Sequence, residues 1–222
     1  MPSLYSDIVK TVNLQHAQLI AVSKTKPNEA ILNLYNQGQR AFGENKVQEL
    51  LDKHEQLPND IQWHMIGHLQ TNKVKYLVPF IHLIHSVDSL KLLFEIEKQA
   101  EKVNRTVSVL LQIHIASEES KFGLDEKELI EILEYYTASP SPLNHICIKG
   151  LMGMATNTDD MSIRRNEFKH LTELFKFVKN SYLPHRDDFN EISMGMSDDY
   201  TIAMEEGATM IRIGSLLFGN RS

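Results

Sequence analysis

A single cysteine, Cys147, stands among 222 residues, so no intramolecular disulfide can staple this fold. It lies in the apolar run His145-Ile146-Cys147-Ile148, which reads as an inert core thiol in a reducing compartment. The chain also lacks a membrane-length apolar run and a basic start followed by an apolar core, which argues against membrane insertion and secretion and for a cytoplasmic protein. No glycine- or serine-rich linker divides it, and the one Pro/Ser cluster, Ser139-Pro140-Ser141-Pro142, is the length of a loop; residues 1–222 are therefore expected to form one domain. Positive charge is scarce and scattered, with 23 Lys and Arg against 29 Asp and Glu and a net charge of −6. That balance argues against a general nucleic-acid binder and favours a small-molecule partner. No Walker or dinucleotide glycine pattern is present.

What the chain does have is alternation. Short apolar runs at Gln18 to Ser23, Arg40 to Gly43, Ile61 to Ile66, Ile81 to His85, Val107 to Ile115, Ile146 to Met152, Asp188 to Ser193 and Thr209 to Ile213 read as strands. Amphipathic stretches separate them. Asp88 is the expected N-cap for Leu90, Leu93, Ile96 and Ala100, and Asp125 opens Leu129, Ile132, Leu133 and Tyr136. Phe168, Leu171, Phe175 and Val178 repeat the helical spacing, and Gly207 stops a helix containing Ile202 to Met204. Strand–helix units in this number predict an α/β fold, a single (β/α)8 TIM-type barrel; an open doubly wound sheet is the competing architecture.

In such barrels, function gathers where strands run into the following loops. The apolar run Leu19 to Val22 ends in Ser23-Lys24-Thr25-Lys26-Pro27, and Ala30, Ile31, Leu34 and Tyr35 then share a helical face until Gly38. Lys24 thus stands at a strand-to-helix corner, placed for chemistry, although a lysine there also serves simply to solvate a loop. The last two strands lead into Ser193-Met194-Gly195-Met196-Ser197-Asp198-Asp199 and Arg212-Ile213-Gly214-Ser215. Glycines let a phosphate approach the main chain, so Gly195, Ser197, Gly214 and Ser215 form a candidate phosphate cradle, the alternative being tight turns alone.

A lysine after the first strand and a phosphate cradle after the last two suggest a phosphorylated carbonyl compound held as a Schiff base, with pyridoxal 5′-phosphate the leading candidate. Arg212 is then placed to face the pyridine nitrogen. A guanidinium stays protonated, donates to a neutral ring nitrogen and disfavours the pyridinium that an aspartate would stabilise. The alternative role for Arg212 is an ion pair with a buried carboxylate.

At these residues the chain closely resembles the pyridoxal phosphate homeostasis protein family, also called the YggS or PROSC family, which is similar in fold to the N-terminal barrel of alanine racemase. The resemblance runs almost end to end through Ala21-Val22-Ser23-Lys24-Thr25-Lys26-Pro27, Phe42-Gly43-Glu44-Asn45, Trp63-His64-Met65-Ile66-Gly67-His68-Leu69-Gln70-Thr71-Asn72-Lys73, Lys121-Phe122-Gly123, the Ser193 to Asp199 motif and Arg212-Ile213-Gly214. It implies that Lys24 carries the cofactor, that Ser197, Gly214 and Ser215 contact its phosphate, and that Arg212 faces the ring nitrogen. With Asn45 these make the expected cofactor-binding set. It also implies a protein that carries and buffers the cofactor, with recipient apoenzymes as partners and no catalytic residue or metal. Three departures stand out: the segment before Lys24 is short, which predicts a reduced or missing first helix, and His114 and Gly153 replace an expected asparagine and alanine.

Competing readings are a cofactor-dependent amino-acid racemase and a Schiff-base aldolase acting on a sugar phosphate. A racemase needs an acid or base on each face of the cofactor, and the chain ends nine residues after Ile213, which favours the carrier. His64 and His68 have strand-and-turn context rather than metal-ligand spacing and are expected to be structural. Asp198 and Asp199 are expected to cap a helix and stabilise its dipole, and Met152 to approach the ring.

Overall fold

The computed structural model describes residues 4–118 and 122–219. Eight parallel strands close on themselves: β1 (Gln18–Val22), β2 (Ala41–Glu44), β3 (Gln62–Met65), β4 (Leu83–Val87), β5 (Val107–Ile113), β6 (Ile146–Gly153), β7 (Glu191–Ser193) and β8 (Met210–Ile213). Closure is made by β1 against β8, with Gln18 opposite Met210 and Ala21 opposite Ile213. All the expected strands form, and the open sheet is excluded.

Helices wrap this barrel: α1 (Leu4–Leu14), α2 (Asn28–Asn36), α3 (Val47–Gln56), α4 (Val74–Leu77), α5 (Leu90–Lys102), α6 (Glu126–Thr137), α7 (Met161–Ser181), α8 (Tyr200–Glu205) and the short α9 (Ser215–Phe218). Each turns an apolar stripe inward, as α5 does with Leu92, Leu93, Ile96 and Ala100. Its N-cap is Ser89, whose hydroxyl accepts from the Leu92 N–H, so the cap falls one residue beyond the expected Asp88. Asp125 caps α6 as expected, in a reciprocal box with Glu128. The first helix is present over 11 residues, so the short N-terminal segment does not remove it. Ile8 and Val12, four apart, give α1 a buried face, and Tyr5 donates to Gln39 Oε1.

Alternation along the strands sorts the core into two layers. Leu19, Ala21, Val109, Leu111, Leu151 and Ile211 pack outward against the helices, whereas Ile20, Leu110, Met152 and Met210 join Ala41 and Leu83 in a separate cluster inside the barrel. Positions two residues further on share that inner face. Arg212 follows Met210, His85 follows Leu83, Ser193 lies opposite Met210 and His64 opposite Leu83, so four polar side chains occupy the upper interior.

Candidate functional site

Lys24 stands in the turn between β1 and α2, where the run of buried residues Leu19 to Ser23 ends and the chain becomes half-exposed. Thr25 adopts a φ of 64°, a left-handed conformation that turns the chain sharply. Side chains from β2 and α3 hold the turn. Lys53 donates to the Ser23 carbonyl and pairs with Glu44 and Glu49, Ser23 Oγ donates to Glu44 Oε1 at 2.6 Å, and Glu49 accepts from the Thr25 N–H. Burial raises the pKa of Glu44, and the bonds from Lys53 and Ser23 oppose that rise.

Above the barrel opens a cleft of about 390 Å³ whose wall includes Lys24, Asn45, Ser197, Arg212, Gly214 and Ser215. These six residues, from four separate strand ends, therefore meet at one place. Val22, Lys26, Ile66, Met154, Met196 and Asp198 complete much of the wall. Met154 takes the place expected for Met152, which packs inside the barrel with Ile20 and Met210. Among the described residues Asn45 Oδ1, buried in this wall, has no hydrogen-bond partner.

Arg212 is 4% exposed and donates from Nη1 to Ser193 Oγ at 2.6 Å and from Nη2 to the Gly153 carbonyl at 3.0 Å. Burial lowers its pKa to about 10, with Asp199 acting against the fall, so the guanidinium stays charged at neutral pH. An ion pair with a buried carboxylate is not its arrangement; Asp199 instead faces Arg164 at 3.5 Å. A Cβ at Gly153 would lie 2.6 Å from Ile115 Cδ1 and 2.9 Å from Leu171 Cδ2, so the alanine expected there would need only the tips of those two side chains to shift.

The loop after β7 turns at Gly195, whose φ of 87° is left-handed and whose added Cβ would meet that of Ala203 at 2.5 Å. Asp199 occupies the N-cap position of α8 but makes no side-chain bond to the helix; its carboxylate accepts from the Met196 N–H and so ties down the loop holding Ser197. Asp198 lines the cleft. On the other side Lys26 donates to the carbonyls of Phe218 and Gly219, holding the segment that follows β8 against the mouth.

The remaining motif residues separate. His64 is fully buried beside His85, whereas His68 is 43% exposed on its side chain, contacts Asp88 and stacks on Phe122. Among the described residues no cluster of three or more His, Cys, Asp or Glu could hold a metal. His114 bonds through Nε2 to the Glu118 carbonyl and is absent from the cleft wall. Lys121 lies outside the described residues. Reading the sequence gave no role to Lys53, Glu49 or His85, and none to Ser193 beyond opening the motif after β7, because polar residues in an ordinary helix or strand pattern do not stand out.

Comparison with known proteins agrees with this geometry. The family described as alanine racemase, N-terminal domain, matches residues 5–222. The chain is 43% identical to the pyridoxal phosphate homeostasis protein of Aquifex aeolicus over 209 residues, 92% of this chain and 87% of that one. It is 40% identical over 215 residues to the protein of that name from Pongo abelii, covering 92% of this chain and 76% of the other. PipY of Synechococcus elongatus, solved with PLP bound, superposes with a TM-score of 0.84 at 35% identity, covering 96% of this chain and 99% of PipY. Alanine racemase of Bartonella henselae shares the fold alone, with a TM-score of 0.70 at 19% identity over 96% of this chain and 61% of that one. Identity of this order along about nine-tenths of the chain, on a barrel of the alanine racemase N-terminal type, makes it a member of the pyridoxal phosphate homeostasis protein family.

Proposed function

We propose that this protein binds pyridoxal 5′-phosphate reversibly on Lys24 and buffers and carries it, without turnover, as one cytoplasmic barrel domain supplying recipient apoenzymes. The observation that carries the reading is a single cleft walled by Lys24 and the buried, charged Arg212 together with Ser197, Gly214 and Ser215.

These residues fit the cofactor's chemistry. Bound there, the cofactor supplies an aldehyde able to condense with a lysine amine. Ser197 and Ser215 offer hydroxyl donors, and Gly214 brings its backbone so close to β1 that an added Cβ would lie 3.2 Å from the Val22 carbonyl oxygen. That end would receive the phosphate, leaving Arg212 to donate to the ring nitrogen. The unpartnered Asn45 Oδ1 would gain a partner from the bound molecule or its water. PipY bears its PLP on the same fold, and the similar proteins named for pyridoxal phosphate homeostasis support a carrier over an aldolase. Among the described residues no helix is long and apolar enough to cross a membrane.

The test is the visible absorption of the protein mixed with pyridoxal phosphate, before and after borohydride, followed by mass mapping of the pyridoxyl group. The expected result is a yellow protein labelled on Lys24 and colourless as Lys24→Ala. Labelling chiefly on Lys26 or Lys73 would overturn the assignment, and labelling by a sugar phosphate instead would favour the aldolase.

A further inference from the structure

Inside the barrel a row of hydrogen bonds leads away from Arg212. Its Nη1 donates to Ser193 Oγ at 2.6 Å, Ser193 Oγ lies 2.9 Å from His85 Nδ1, and His85 Nε2 lies 2.9 Å from His64 Nδ1. Each residue comes from a different strand, β8, β7, β4 and β3, and none is more than 4% exposed. Among the described residues the far nitrogen, His64 Nε2, is buried without a partner.

Donor counting gives the row a direction. A guanidinium only donates, so Ser193 Oγ accepts from Arg212; among the described residues the hydroxyl has no acceptor other than His85 Nδ1, so its one proton goes there. His85 then carries its proton on Nε2 and donates to His64 Nδ1, which leaves the His64 proton on Nε2. We propose that Ser193, His85 and His64 are positioning residues, a one-way relay that aims the Arg212 guanidinium at the ring nitrogen of the bound cofactor. The inference rests on the cofactor reading above.

Both imidazoles must be neutral for this order, and burial keeps them so: the pKa of His64 falls to about 3 and that of His85 falls well below the ordinary value. The charged groups facing the row act the same way. His82 stands 5.1 Å, ring to ring, from His64, and Arg212 itself opposes any charge on His85. Asp199 acts on Arg212 in the opposite sense to burial and favours its charge. Ser193, by donating onward, becomes a stronger acceptor for Arg212 than an isolated hydroxyl. Losing the acceptor on His85 frees Ser193 to turn and loosens the guanidinium.

Two measurements test this. In the protein without cofactor, nitrogen-15 spectra of the histidine rings between pH 6 and 8 are expected to show His85 and His64 as neutral Nε2–H tautomers; an Nδ1–H tautomer at His85 overturns the relay. In the loaded protein, His85→Leu and Ser193→Ala are expected to move the pH midpoint of the visible band upward, by about one unit for a ring nitrogen that loses roughly one charge-assisted bond. His85→Asn, whose Oδ1 replaces Nδ1 as acceptor, is expected to stay near wild type. A purely structural role would lower thermal stability in all three and leave the midpoint unmoved, and that pattern overturns the proposal. If the wild type itself takes no pyridoxyl label on Lys24, the cofactor reading fails, while the tautomer result still decides whether the relay exists.

Discussion

The ammonium of Lys53 lies 2.8 Å from Glu44 Oε1 and 2.8 Å from the carbonyl of Ser23, so a buried ion pair is bonded to the residue that precedes Lys24. A third bond, to Glu49 at 2.7 Å, spends the last proton of the ammonium. The turn bearing Lys24 is therefore anchored from beneath by α3 rather than by its own short loop.

Removing one member leaves the other stranded. Lys53→Met is expected to destabilise the fold by about 3–5 kcal/mol, because Glu44 would keep its buried position with no cation beside it. The double variant Lys53→Met/Glu44→Gln should recover much of that loss. Urea unfolding of the wild type, Lys53→Met, Glu44→Gln and the double variant checks the pair, and equal losses in Lys53→Met and the double variant would show that Lys53 contributes packing and not charge.

The phosphate end makes a different prediction. Ser197→Ala should weaken pyridoxal phosphate binding by roughly 1.5–3 kcal/mol, the range for a hydrogen bond to a charged group, while backbone donors remain. Pyridoxal, which has no phosphate, should bind equally well to both proteins. Equal losses for the two compounds would remove Ser197 from the phosphate site.

Acid should unfold the protein partly through its interior. His64 is held neutral down to about pH 3 in the fold, whereas the unfolded chain takes up a proton near the ordinary value of 6.5. Below that value the unfolded state binds more protons, so stability falls as pH falls, by about 1.4 kcal/mol per unit for each such histidine. His85 acts in the same direction. Comparing stability from pH 7 to 4.5, the curve for His64→Gln should be shallower than that of the wild type by about one proton. Parallel curves would mean that His64 is protonated alike in both states.

Much of the barrel was legible because parallel strands buried on both faces appear as bare apolar runs. The same property hid its interior. Continuous burial gives no alternation to tell Ile20 from Leu19, so nothing marked His64, His85 and Ser193 as neighbours across three strands. Lys24 was visible because it ends such a run, and Arg212 because it interrupts one. Lys53 was not, since a lysine within VQELLDKHEQ has the pattern of a solvated helix face and only the tertiary pairing with Glu44 places it inside. Asp199 was read as a cap from its place before α8, and its carboxylate went instead to the Met196 N–H through Oδ1 and to Arg164 through Oδ2, which engages both oxygens away from the helix.

The last prediction concerns turnover. Arg212 remains charged at neutral pH, and its bonds to Ser193 and Gly153 fix it in the cleft wall. Aimed at the ring nitrogen as proposed, this cation would oppose protonation there and make the bound cofactor a poor electron sink for a carbanion. Amino acids should still be able to displace Lys24 and leave with the cofactor, which is transfer and regenerates nothing at the substrate carbon. Holoprotein incubated with alanine in deuterated water is therefore expected to release cofactor without repeated exchange of the α-proton or loss of chirality. Many exchanges per protein molecule, abolished in Lys24→Ala, would make the protein a racemase and show that Arg212 does not suppress the chemistry.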